Sequence, residues 1–286
     1  MLFNYWMPFF GPAYGTVLRR ARSEGTRGLA IVHNAIPHER RPGDTLLGRW
    51  FLRHCDGFVV LSEEVERDLR TLGAKGEIRR IQHPRYDIFG KAIPRGMARD
   101  ALGLPADAPV LLFFGYVRRY KGLGVLLNAM PRVRERIPDV RLVVAGEFYE
   151  DEKIYRDLVR RLDLDEVVDL RADYIPDEEV AAWFGASNVV VQPYVSATQS
   201  GVAQIAFHFG RPMILTDVGG LAEVVPHDRA GLVVPPDDAA ALSDAIVRYF
   251  DEGLEESLSE GVRAERGKYS WDRLYEAVES LIVGSE

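Results

Sequence analysis

The chain has one cysteine, Cys55, so no disulfide can form within it, and a reducing, cytoplasmic setting is expected. It has no apolar run of the roughly 18 residues that a membrane-spanning helix needs. It has no excess of positive charge. The 36 Lys and Arg stand against 43 Asp and Glu, a net charge of −7, which argues against general nucleic-acid binding. It has no recognisable metal-ligand spacing. The six histidines are scattered, and the one close pair, His33 and His38 with Glu39 beside it, fits no zinc pattern. No metal and no cofactor are therefore expected.

One stretch lacks charge altogether. Met1 to Leu18 carries no charged side chain. Pro8, Gly11, Pro12 and Gly15 interrupt it, and Arg19, Arg20 and Arg22 follow it rather than precede it. That order is wrong for a signal peptide. The stretch reads as a strand and turn leading into a helix. Membrane-surface contact through its aromatics and arginine flank, which would make the chain peripheral to a membrane, is the alternative.

What is present centres on Leu111 to Leu127, LLFFGYVRRYKGLGVLL. An apolar run ends at Gly115, a basic loop carries Arg118, Arg119 and Lys121, and a helical apolar face begins at Val125. A strand, a glycine-bounded basic loop and a helix start make a place to hold phosphate, because helix N-termini present free N–H groups and partial positive charge. Arginine can fork two phosphate oxygens, and lysine adds a point charge. The same stretch also reads as a solvated loop whose charges keep the chain soluble.

Strands and helices alternate on both sides of it. Leu29–His33, Phe58–Leu61 and Ile78–Ile81 read as strands in the first ninety residues, with helices over Leu46–Cys55 and from the Ser62 N-cap to Gly73. Pro84 to Gly96, rich in Pro, Gly and charge, reads as a linker. Beyond it the strands are Val110–Phe114, Arg141–Ala145, Val168–Leu170, Val189–Gln192, Pro212–Thr216 and Leu232–Val234. The helices between them are Val125–Ile137, Lys153–Leu162, Asp177–Phe184, Val202–Phe209 and Ala239–Phe250. The pattern predicts α/β architecture with parallel sheets. Residues 1–92 would form a first domain, 93–265 a doubly wound second domain, and 266–286 a last helix packing back toward the first.

In such sheets ligands sit outside the carboxyl ends of the strands. Three loops share that edge: the basic loop, Gln192–Gly201 (QPYVSATQSG) and Asp217–Leu221 (DVGGL). Thr198, Gln199, Ser200 and Gly201 could present hydroxyl, amide and backbone donors to a diphosphate facing Gly115, Arg118 and Lys121.

The run from Gly210 to Leu242, GRPMILTDVGGLAEVVPHDRAGLVVPPDDAAAL, resembles the signature of family 4 glycosyltransferases. These retaining enzymes have the GT-B fold, two Rossmann-like doubly wound parallel-sheet domains. The basic loop is similar to that family's donor loop, with Lys121-Gly122 at its Lys-Gly and Arg118 in place of an arginine that usually directly follows the first glycine. Glu223 matches the Glu closing the family's Gly-Gly-x-x-Glu run. His33, at a strand end, matches the histidine beside the transferred sugar, although a structural histidine is the default for such a residue alone. The family's paired glutamates fall at Ala197 and Ile205, neither acidic, and Thr198 to Gly201 stand as their substitutes.

The resemblance implies a metal-independent transfer of sugar from a nucleotide diphosphate sugar to an acceptor hydroxyl of a glycan, lipid-linked or small molecule, with retention. His33, Arg118 and Lys121 would be catalytic. It also implies that the first domain is incomplete, because fewer βα units than usual precede His33. A homo-oligomer or a second polypeptide would then cover the exposed edge. Two alternatives stay open: a non-catalytic nucleotide-sugar-binding or scaffolding remnant, and a GT-B nucleotide-sugar epimerase. A nicotinamide dehydrogenase is disfavoured, because Gly122-x-Gly124-x-x-Leu127 lacks the third glycine.

Overall fold

The computed structural model describes residues 1–37, 42–84, 86, 88–197 and 200–283. They form two compact units, Met1–Pro84 with Lys268–Glu286 and Arg85–Gly267.

In the first unit β1 (Leu2–Tyr5), α1 (Gly11–Arg22), β2 (Leu29–Val32), α2 (Asp44–Leu52), β3 (Gly57–Val60), α3 (Glu63–Thr71) and β4 (Glu77–Arg80) follow one another. The four strands are parallel and lie in the order β1-β2-β3-β4. Local chemistry starts α3 where the sequence predicts: Ser62 Oγ accepts from Val65 N at 3.3 Å, and Glu63, Glu64 and Glu66 occupy the positive end of the helix. Val65 and Leu69 turn inward beside Phe58 and Val60. Cys55 is buried, and burial pushes its thiol up to about 12, so it is an inert core group rather than a nucleophile. Tyr5 and Leu18 are fully buried, so the charge-free opening stretch contributes to this core.

The second unit contains α4 (Arg95–Leu102), β5 (Val110–Phe114), α5 (Leu123–Arg136), β6 (Arg141–Ala145), α6 (Glu152–Arg161), β7 (Val168–Arg171), α7 (Val180–Ala186), β8 (Val189–Gln192), α8 (Gly201–Phe209), β9 (Met213–Thr216), α9 (Leu221–Val224), β10 (Gly231–Val234), α10 (Ala239–Asp251) and α11 (Glu255–Glu265). Its sheet is six-stranded and parallel, in the order β10-β9-β8-β5-β6-β7. The chain steps outward from β5 to β7, then returns to the other side of β5 with β8. That reversal defines a doubly wound sheet and opens a crevice between β5 and β8 at their carboxyl ends.

Strand residues alternate between two apolar layers. Leu111 and Phe113 share a core with Leu126, Met130, Leu242 and Ile246 of α5 and α10, while Phe114 meets Phe184 of α7 edge-on at 5.1 Å. The chain ends in α12 (Trp271–Val283), whose Leu274, Ala277 and Leu281 pack on Leu29 and Val59 within the first unit.

Three sequence expectations shift. α7 starts at Val180 rather than Asp177, because Pro176 sets a turn closed by Glu179 N donating to Pro176 O at 2.9 Å. The linker ends two residues earlier than predicted, at Pro94, which leads into α4. Helices α4, α9 and α11 were not predicted. α4 and α11 carry few large apolar residues, and charged contacts fasten them: Arg99 of α4 donates to Ala186 O at 3.0 Å and Asn188 Oδ1 at 2.9 Å, and Glu255 of α11 pairs with Arg95.

Candidate functional site

The crevice is built by residues 115–122 after β5 and, after β8, by residues 193–197 and Ser200. Gly115 (φ +91°) turns the chain out of β5. Its N–H donates to Ala145 O at 2.9 Å, Val117 N to Glu147 O at 2.8 Å, and Tyr149 N to Val117 O at 3.0 Å, which ties the loop to the segment after β6. A short 3₁₀ turn, Arg119–Lys121, leads to Gly122.

Gly122 has φ +71°, and a Cβ there would lie 1.8 Å from Pro193 O. Only glycine fits a left-handed residue against that carbonyl. The contact clasps the two loops. Val195 N donates to Tyr120 O at 2.7 Å, and Thr216 Oγ1 of β9 holds Tyr194 O at 2.5 Å.

This clasp buries Lys121 to 8% exposure. Its Nζ lies 5.7 Å from the centroid of the Tyr194 ring and 3.3 Å from the point a Gly115 Cβ would occupy. Among the described residues no carboxylate forms an ion pair with it. Burial first, then the nearby Arg118 charge, pull the Lys121 pKa down to about 8. A buried cation without a carboxylate, at the carboxyl end of a strand, is suited to an anion.

Opposite it, α8 begins. Ser200 caps the helix by accepting from Ala203 N at 3.3 Å, and its Oγ lies 3.4 Å from Tyr194 Oη. Gly201, the first helical residue, is exposed. The uncapped N–H groups and the helix dipole add positive potential at this end.

Between these parts lies a cavity of about 390 Å³. Gly115, Lys121, Ser200 and Gly201 line it together. Its remaining walls are largely aromatic and aliphatic, among them Tyr86, Phe89, Tyr174, Ile175 and Ile205, with Glu147 and Asp177 as carboxylates.

The other predicted residues fall elsewhere. Arg118 is half-buried on the same loop but does not line the cavity. Its guanidinium carbon sits 4.7 Å from the centroid of the Tyr149 ring. Glu223 is exposed on α9 and does not line it either. Thr198 and Gln199, like His38 and Glu39, lie outside the described residues. Ala197 and Ile205, where the resemblance places glutamates, are both buried.

His33 belongs to the first unit, at the carboxyl end of β2. Its Nε2 bonds Asn4 Oδ1 at 2.6 Å, and its ring lies 5.8 Å from that of His83. Burial, then the His83 charge, lower its pKa to about 4; burial lowers His83 as well. Both rings are neutral near pH 7.

Sequence reasoning missed His83, Tyr194, Glu147 and Asp177. The rule that ligands gather at strand carboxyl ends would have found Glu147, two residues past β6, and Tyr194, two past β8. Among the described residues no three His, Cys, Asp or Glu side chains converge as a metal site, and no helix is long and apolar enough to cross a membrane.

Residues 108–252 match the family model described as glycosyl transferases group 1. A D-inositol 3-phosphate glycosyltransferase 1 from Catenulispora acidiphila is 31% identical over 297 residues, 94% of this chain and 70% of that protein. A D-inositol 3-phosphate glycosyltransferase from Streptomyces bingchenggensis is 32% identical over 225 residues, 74% of this chain and 49% of that protein. The chain thus spans about half the length of several curated relatives it matches. Among solved structures, sucrose-phosphate synthase from Thermosynechococcus elongatus superposes with a TM-score of 0.82 at 26% identity, over 99% of this chain and 74% of that one. Anabaena Alr3699/HepE, solved in complex with UDP-glucose, gives 0.81 at 16% identity over 96% and 77%. Two parallel-sheet α/β units with these neighbours make the fold GT-B.

Proposed function

We infer the function from one premise: the chain belongs to the glycosyl transferases group 1 family. On that premise it moves a sugar from a nucleoside diphosphate sugar to an acceptor hydroxyl, with retention of anomeric configuration, as a family 4 enzyme, and without a metal. The observation that carries this reading is Lys121, a buried cation without a carboxylate partner that lines one cavity with the α8 N-terminus at the strand-order reversal. Supporting it, Anabaena HepE, of the same fold, is described in complex with UDP and with UDP-glucose.

The chemistry follows from charge. The C1–O bond to the diphosphate breaks, and negative charge grows on the departing oxygen. Lys121 and the free N–H groups of α8 are placed in advance for that charge, so they stabilise it more in the transition state than in the ground state. Arg118 adds positive potential from behind Lys121. The acceptor oxygen bonds C1 on the face the phosphate leaves, and its proton passes to the departing phosphate oxygen. No cation besides these side chains is invoked. Buried Ile205 offers no carboxylate to the cavity, so a covalent sugar–enzyme intermediate through that position is disfavoured. His33, neutral and held by Asn4 within the first unit, is suited to hydrogen bonding rather than to acting as a cation.

The test is a transfer assay with UDP- and GDP-sugars over a panel of glycan, inositol-phosphate and lipid-linked acceptors, read by nucleoside diphosphate release and by NMR of the product's anomeric centre. Release of one nucleotide with retained configuration is expected. An inverted product contradicts retention. Donor binding without turnover on any acceptor marks the chain as a nucleotide-sugar-binding remnant.

A further inference from the structure

The first unit has a surface to which the proposed transfer assigns no residue. Helices α1 and α2 run side by side in parallel. A Cβ on Gly11 would meet Leu47 O at 2.3 Å, and one on Gly15 would meet Trp50 at 2.5 Å and Phe51 at 3.2 Å, so the same ends of both helices lie together. The two N-terminal ends are apolar and solvent-exposed: Phe9 is 74% exposed and Leu46 73%.

Toward the other ends the helices become basic. Trp50 lies beneath two guanidinium groups, Arg53 at 4.1 Å and Arg19 at 5.5 Å from its ring centroid. Arg49 joins them along a groove between the helices, lined also by Thr16, Leu46 and Trp50.

The charge there runs against the rest of the chain. The whole chain carries −7, yet α1 contains no acidic residue and α2 only Asp44. Among the described residues Arg19, Arg20, Arg49 and Arg53 have no ion-pair partner, while Arg22, beside them, pairs with Asp56 at 3.0 Å. Four arginines with no ion-pair partner among the described residues, interleaved with an exposed Leu and Phe and a half-buried Trp, match an anionic lipid surface. Apolar tips enter the acyl boundary while guanidinium groups stay at phosphate level.

We propose that the α1–α2 face of the first unit docks on anionic bilayers, with Phe9 and Leu46 inserting and Arg19, Arg49 and Arg53 contacting lipid phosphates. A second copy of the chain fits this face poorly, because a two-fold contact would set the same unpaired arginines against one another. The surface lies wholly in one unit and does not depend on the transfer reading.

Vesicle sedimentation of the full chain tests it, with phosphatidylcholine alone and with phosphatidylcholine and phosphatidylglycerol at roughly 7:3. Binding to the anionic vesicles only is expected, with a blue shift of tryptophan fluorescence and release at about 0.5 M salt, where screening is nearly complete. Arg49→Gln with Arg53→Gln should weaken partitioning by roughly fivefold per arginine, and Leu46→Ser should weaken it independently of salt. Circular dichroism checks that each variant folds. Equal partitioning to both vesicle types, no partitioning at all, or unchanged binding by the folded arginine variant would overturn the proposal. So would a concentration-dependent dimer that Leu46→Ser dissolves, since the face would then be an interface between copies.

Discussion

The two parallel sheets are built from the same repeating unit, yet only one has a reversal of strand order among its described strands. In the first the order is β1-β2-β3-β4, each strand added on the same side of the last. In the second, β8 returns to the far side of β5, and the loops after β5 and β8 diverge around a crevice. The polar chemistry differs accordingly. The crevice buries a cation, Lys121, with no carboxylate ion-paired to it among the described residues. The strand ends of the first sheet hold a neutral pair, His33 and His83, tied to Asn4 and the backbone. Topology thus decides where charge is left for a ligand to neutralise and where it is removed.

The strongest way to break this difference is at the clasp. Gly122→Ala places a Cβ against Pro193 O in a left-handed backbone. It should cost about 3 kcal/mol or more, read as a fall in Tm together with loss of nucleotide binding. Unchanged melting would show that the two loops are not held by this approach.

Lys121→Met separates function from stability. On this reading it loses one charge-assisted contact to phosphate, worth about 1.5–3 kcal/mol, or roughly 10- to 100-fold in affinity. The variant also removes a desolvated charge, so its Tm should stay level or rise. A large fall in Tm would make Lys121 a structural residue.

The two units should also answer pH in opposite ranges. A bound diphosphate favours protonated Lys121. With the free pKa at about 8, nucleoside diphosphate affinity should hold below that pH and decline as pH rises through it, a slope absent in Lys121→Met.

The smallest effect belongs to the histidines. The folded pKa of His33, about 4, lies below the ordinary value of 6.5. Protons therefore bind the unfolded chain first, and stability should decline as pH falls from about 6.5 toward 4, then level off. His33→Gln should flatten part of that decline in acid melts. An unaltered profile would assign it to other groups.

Much of the second unit is legible in sequence because its strands are continuous apolar runs buried on both faces and its helices carry plain apolar stripes. Gly115, Lys121, Ser200 and Gly201 were legible for the same reason, as each follows such a run at a predictable edge. Asp177 and His83 were not, since nothing local marks a lone acid or histidine as facing a cavity or another ring. α4 and α11 escaped because charged side chains in three dimensions, Arg95 with Glu255 and Arg99 with Asn188, fix them more than periodicity does. Arg118 shows a different limit. Its position in the loop is plain from sequence, but its stacking on Tyr149 depends on the neighbouring loop after β6.

The most direct measurement is calorimetric titration of UDP and GDP into the wild-type chain and Lys121→Met at pH 7. If the crevice holds a diphosphate, one nucleotide binds the wild type at micromolar levels and the variant on the order of 10- to 100-fold more weakly, at equal or higher Tm. Equal affinity in both proteins would mean that the buried lysine is not there for phosphate.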